Sequence, residues 1–166
     1  MADIKLAYGT ASNVTITLAS LATDANLLTG QESTAIDNTS ALVLDYLVSG
    51  KITTGTTPTT AKSIEVWAVG SWDGTNWPDV FDGTDSAETI TSADIKAIIC
   101  RFVAAMATSA TSNVSYHFGP VSLAAAFGGV LPPKIVLFVT HSTAVALNAT
   151  AGNHQIRLQP VYQTIN

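Results

Sequence analysis

Lys62-Ser63-Ile64-Glu65-Val66-Trp67-Ala68-Val69-Gly70-Ser71 is the stretch that decides the fold of this chain. Its apolar residues alternate with period two. Ile64, Val66 and Ala68 share one face of an extended segment, and Glu65, Trp67 and Val69 share the other. The continuation Trp72-Asp73-Gly74-Thr75-Asn76-Trp77-Pro78-Asp79 carries Asp-Gly, a strong hairpin signal. It predicts that the chain returns beside the strand, with Trp77 on or near the returning segment. Trp67 and Trp77 would then pair across the hairpin and fill core or rim.

The same reading extends in both directions. Val14-Thr15-Ile16-Thr17-Leu18 alternates cleanly and predicts a first strand. Residues 22–40 are polar and turn-rich, with room for a short edge strand near Thr34 to Ile36. Ala41 to Ile52 predicts a strand ending at Gly50 or just beyond, and Thr53 to Thr60 a loop. Asp79 to Asp94 is acidic and predicts a long loop. Ile95 to Thr108 fits a helix by its alanines and a buried strand by Ile98, Ile99, Phe102 and Val103; the surrounding pattern favours strand. Asn113 to Phe118 predicts a strand punctuated by Gly119-Pro120. Ser122 to Phe127 reads as a single helical turn closed by Gly128-Gly129. Lys134 to Thr140 and His154 to Tyr162 predict the last two main strands, with a short strand at Ala144 to Leu147 between them. About seven to nine strands and no long helix predict an all-β fold, a two-sheet antiparallel sandwich of jelly-roll type. Residues 1–166 read as a single domain, with 1–12 as an extended N-terminal arm.

Composition narrows the function classes. Hydrophobic residues make up 47% and charged residues 11%, against a usual charged share of roughly 25%. Disorder combines low hydrophobicity with high charge, so this chain is expected to fold. A neutral, Thr-rich surface is cheap to desolvate and suits wide, permanent contacts; ordinary β-propensity of Thr accounts for it equally well. The net charge of −5 and the scatter of Lys5, Lys51, Lys62, Lys96, Arg101, Lys134 and Arg157 argue against nucleic acid as a partner. No signal peptide is visible at the start, and no run reaches the ~18 apolar residues of a membrane span. The expectation is a protein made in the cytoplasm, with no membrane partner. Cys100, the single cysteine, sits in the apolar run Ile98-Ile99-Cys100 and reads as a buried, inert thiol.

Few residues look equipped for chemistry. Asp73, Asp79, Asp82, Asp85 and Glu88 form the densest carboxylate group. Asp79, Asp82 and Asp85 are a calcium candidate, because hard cations take several oxygens from one flexible loop. The spacing does not match an EF-hand, and a plain solvated acidic loop is the favoured reading, with no cofactor expected. His117, His141 and His154 are not at metal-ligand spacing, although His141 and His154 flank one connection and could meet at one end of the sandwich. No nucleophile elbow is present, and the chain is read as no enzyme. Trp67, Trp72 and Trp77 lie within one short stretch. Packing, a protein interface and a sugar platform all use such residues.

The segment Ser71 to Trp77, of the pattern S-x-D-G-x-x-W, resembles turns of β-proteins in tailed-phage particles. Gly128-Gly129-Val130-Leu131-Pro132-Pro133-Lys134 through Val139, then Ala144 to Asn148, and the close Pro160-Val161-Tyr162 are similar to them as well. Together, residues 62–166 resemble small virion proteins with a jelly-roll sandwich, of the capsid decoration or cement kind. The resemblance implies a non-enzymatic protein of the virion, bound in many copies to the major capsid protein, often as a homotrimer. It carries over no site residues. Interface candidates are Trp67, Trp72 and Trp77, with Asp3, Ile4, Leu6 and Tyr8 on the arm. Residues 1–12 and 22–40 are expected as arms that order on a neighbouring subunit. A tail, neck or head-fibre component and a carbohydrate-binding module are the alternative readings.

Overall fold

The computed structural model describes residues 4–165. Among them the chain forms β1 (Ile4–Tyr8), β2 (Ser12–Asn13), β3 (Thr29–Glu32), β4 (Ile36–Asp37), β5 (Asp45–Thr53), β6 (Lys62–Ser71) and β7 (Ala87–Thr89). Helix α1 (Ala93–Ile99), β8 (Arg101–Thr108), β9 (Ser115–Ser122), the one-turn helix α2 (Leu123–Ala126), β10 (Lys134–His141) and β11 (Gln155–Ile165) follow. All strand pairs are antiparallel. One sheet runs β1-β11-β5-β9, with β2 also on β11; the other runs β7-β3-β10-β6-β8, with β4 also on β10. The all-β, two-sheet expectation is what the chain adopts.

The core between the sheets takes the expected face of β6. Ile64, Val66 and Ala68 meet Ile135, Leu137 and Val139 of β10, and Val48, Ile52, Ile156 and Leu158 of the opposite sheet, in one buried cluster. The other face of β6 is covered too. Val69 and Trp67 pack with Val136, Phe138, Phe81, Ile90 and Cys100 in a second cluster. That cluster forms because residues 72–100 fold back over the outer side of the sheet as a third layer. Strand β10 is therefore buried on both faces, which explains why Lys134 to His141 reads as a near-continuous apolar run rather than an alternating one.

Several sequence expectations are corrected. No hairpin follows Asp73-Gly74. β6 already pairs with β10 on one side and β8 on the other, so a returning strand has no edge to join. Trp77 lies in the loop instead. Ala93–Ile99 is helical, capped by Ser92, whose Oγ accepts from Ile95 N at 3.2 Å; only Arg101–Thr108 of the ambiguous run is strand. Val14 to Leu18 keeps its alternation, with Leu18 buried, but forms no strand; Val14 N donates to Ile156 O, and Thr15 O accepts from Thr34 N. β9 continues through Gly119-Pro120 to Ser122, and Ala144 to Leu147 contributes only an isolated bridge, Leu147 with Thr54.

The expected arms are parts of the sheets. Ile4–Tyr8 pairs with β11 of its own chain, Ile4 opposite Ile165 and Tyr8 opposite Val161. Within 22–40, β3 and β4 both pair with β10. Asp3 lies outside the described residues.

Candidate functional site

The three tryptophans separate into two settings. Trp67, on β6, is half-buried. Its ring meets Phe102 edge-on at 5.3 Å, and its Nε1 donates to Glu65 Oε2 at 2.9 Å. Lys96 Nζ stands 4.6 Å from the ring centroid. Its indole N–H and the buried part of its ring are engaged in packing. Trp72 and Trp77 line one groove of about 560 Å³ at the end of β6.

That groove is assembled by three separate segments. Trp72, Asp73, Asn76, Trp77 and Pro78 come from the loop after β6. Ile98, Ile99 and Arg101 come from the α1–β8 junction, and Phe127 from the end of α2. Gly70 lets them converge: a Cβ there would lie 2.5 Å from Pro132 and 3.2 Å from Phe127. Phe127 in turn meets Trp72 edge-on at 6.1 Å and 87°, an arrangement aromatic quadrupoles favour. Trp72 is thereby oriented while 61% exposed, and Ile98 beside it is 69% exposed.

The polar rim is shaped by Asp73. Its carboxylate accepts from Thr75 N at 2.9 Å, Asn76 N at 2.7 Å and Asn76 Nδ2 at 2.6 Å. These bonds, led by the one from the Asn76 side chain, hold the Asp73 carboxyl far below the usual carboxylate range. Gly74 follows at φ +74°, which the turn requires and glycine supplies without strain. Arg101 Nη1 donates to Ile98 O at 2.8 Å. Its remaining nitrogens, the indole N–H groups of Trp72 and Trp77 and the Asn76 Oδ1 have no partner among the described residues.

The carboxylates proposed for calcium do not converge. Asp79 accepts from Thr91 N and Oγ1, Asp82 from Thr84 N and Oγ1, and Asp85 from Thr17 and Gln31. Asp79 and Asp82 close turns within their own loop, and Asp85 ties that loop to Thr17 and Gln31; no group of three metal-ligating side chains occurs among the described residues. His141 and His154 are likewise held by bonds within the fold. His141, fully buried, bonds Thr143 Oγ1 and Leu21 O, and His154 bonds Asn148 O at 2.8 Å. Burial lowers both pKa values below 6.5. Cys100 is buried, with its thiol pushed up to about 12 by burial.

A second surface lies at the opposite sheet. Beyond Val161, where β5 begins at Asp45, β11 has only β1 as a neighbour, so residues 4–7 and 162–165 form a two-stranded ribbon. Ile4, Leu6, Tyr8 and Ile165 are 68%, 64%, 63% and 74% exposed. The register places all four on one side, because alternate residues and direct cross-strand partners share a face. Lys51 and His117 are cross-strand partners, and with Arg157 they border a depression of about 340 Å³.

The groove residues Arg101, Ile98 and Phe127 are absent from the sequence-derived candidates, since neither spacing nor composition brings distant segments together. No helix among the described residues is long and apolar enough to cross a membrane. No protein-family model, curated protein or solved structure matches this chain.

Proposed function

We propose that this chain is a non-enzymatic structural protein of a phage particle, a capsid decoration or cement protein that acts in many copies. Its partners in this reading are other copies of itself, as a homotrimer, and the major capsid protein. The observation that carries it is the β1–β11 ribbon. Only Ala7 and Tyr162 at its base are partly buried, and a two-stranded ribbon with so little cover is marginally stable in water. A row of Ile4, Leu6, Tyr8 and Ile165 on one side, with the outer edge of β1 open, gives it a reason to be covered. Exposed apolar stripes and open strand edges are where chains associate.

The winding supports the same reading. Strands β1, β11, β5 and β9 face β3, β10, β6 and β8, and the chain crosses between the sheets at every step among these eight except β6 to β8. That is the order expected of a jelly roll, a fold used by viral capsid domains. The low charge of the surface fits contacts that are made once and kept.

The test is the mass of the full-length chain by light scattering, followed by co-sedimentation with assembled capsid shells. The expected result is a trimer that binds shells. Leu6→Asp is expected to give a folded monomer with the thermal transition of the parent domain and weakened shell binding. A monomeric wild-type chain that leaves the shells in the supernatant overturns the reading.

A further inference from the structure

The groove beside Trp72 has a chemistry that the ribbon lacks. Its floor and walls are aromatic and aliphatic, and its rim carries unspent hydrogen-bonding groups. Trp72 is 61% exposed and meets Phe127, another lining residue, edge-on. Arg101, Asn76 and the indole N–H of Trp77 line the same space. A ligand that fits must be flat and apolar on one side and rich in hydroxyls around its perimeter. A wholly apolar segment would leave the donors and the Asn76 acceptor buried without partners, at a cost for each.

Charge narrows the class further. The lining contains one anion, Asp73, kept ionised by the bonds that close its turn, and one cation, Arg101. They cancel, so the groove selects neither an anionic nor a cationic ligand. We propose that this groove binds a neutral saccharide, with a pyranose ring stacked on Trp72 and its hydroxyls bonded by Arg101 and Asn76. The C–H face of a pyranose covers an indole, and the equatorial hydroxyls point sideways to the rim. This combination of an apolar wall and a few placed polar groups is what small-molecule sites share. The site stands independently of the virion reading, since no groove residue belongs to the β1–β11 ribbon.

The experiment is titration of the full-length chain with maltohexaose, cellohexaose and chitotetraose, followed by intrinsic tryptophan fluorescence and by saturation-transfer NMR on the sugar protons. At least one of the three is expected to give a saturable change and transfer to its ring C–H protons. Trp72→Ala is expected to weaken it by about tenfold or more, with Trp72→Phe between the two. Trp72 is exposed, so its replacement should leave the thermal transition in place, which circular dichroism checks. Tetragalacturonate is expected to bind more weakly than the best neutral sugar. Absence of saturable binding by all three neutral sugars overturns the proposal, as does binding that Trp72→Ala leaves unchanged. Tighter binding by tetragalacturonate overturns the neutral assignment. The trimer measurement is unaffected by any of these outcomes.

Discussion

Lys96 and Trp67 meet through a shared carboxylate. The Lys96 ammonium lies 4.6 Å from the Trp67 ring centroid, and both side chains donate to the same oxygen, Glu65 Oε2, at 3.1 and 2.9 Å. Lys96 Nζ also donates to Leu27 O. This is the only ion pair among the described residues, and its side chains are 9% and 17% exposed. It fastens helix α1 to the outer face of β6. Lys96→Ala removes the cation and leaves Glu65 charged and largely desolvated, so a loss of about 3 kcal/mol is expected. Glu65→Gln combined with Lys96→Met should recover much of it. Urea midpoints at constant m would show this; equal destabilisation by the single and double variants would refute it.

β6 was legible to its ends because both of its faces carry apolar residues in strict alternation, and each face found its own cluster. β10 was legible for the related reason that burial on both sides forces an uninterrupted apolar run. The turn at Asp73-Gly74 was misread because its local chemistry is the same whether a strand returns or a loop departs. What decides is that β10 and β8 already occupy both edges of β6, a fact about residues far along the chain, at 101–108 and 134–141. Helix α1 was missed although a signal existed: Ser92 ahead of Ala93-Asp94-Ile95 is a helix N-cap with an acid in the first turn. Of the candidate site, Trp72 and Trp77 were legible as candidates, but the pairing expected was Trp67 with Trp77, whereas the groove joins Trp77 with Trp72. Arg101 and Phe127 were not legible, because Gly70 admits Phe127 through a contact that only the folded chain makes.

Cys100 should be unreactive in the folded protein. Its thiol is buried and pushed up to about 12 by that burial, with Lys96 and Arg101 only partly opposing the shift. The thiolate is the reactive form. Ellman's reagent at neutral pH should label Cys100 only in denaturant, and labelling of native protein at the rate of a free thiol would contradict its placement.

Gly83→Ala should destabilise the domain. Gly83 has φ +85°, and a Cβ there would lie 3.2 Å from Ala35 and from the Trp77 ring. An alanine in this conformation costs about 1–2 kcal/mol before any crowding. Crowding would also disturb the Gly83 N–H that donates to Glu32 Oε1 at 2.7 Å. A thermal transition equal to wild type would show that the loop relaxes freely.

Glu32 gives the stability of this protein an unusual pH dependence. Its side chain is fully buried on β3, and burial raises its pKa from 4.5 to about 7 against the bonds from Gly83 and Asp82. A folded pKa above the unfolded one means that the folded state holds the proton more tightly. The contribution is fully present below pH 4.5 and is lost as pH rises through about 7. His141 and His154 act in the opposite sense. Burial lowers their pKa values from 6.5, so their stability is present above 6.5 and is lost as pH falls below it. The two effects oppose each other, and the histidine contribution goes on growing to about one pH unit above 6.5, where it offsets much of the Glu32 loss. The stability of wild type relative to Glu32→Gln, a difference in which the histidines cancel, is therefore expected to fall by about 1 kcal/mol between about pH 6 and about pH 8. Glu32→Gln keeps an acceptor for Gly83 and removes the titration. Its urea midpoint should keep the histidine dependence alone and gain on wild type steadily toward the alkaline end. Parallel profiles for the two proteins would mean that Glu32 keeps its ordinary acidity in the folded chain, and that the buried carboxyl is stabilised as an anion by the two loop N–H groups alone.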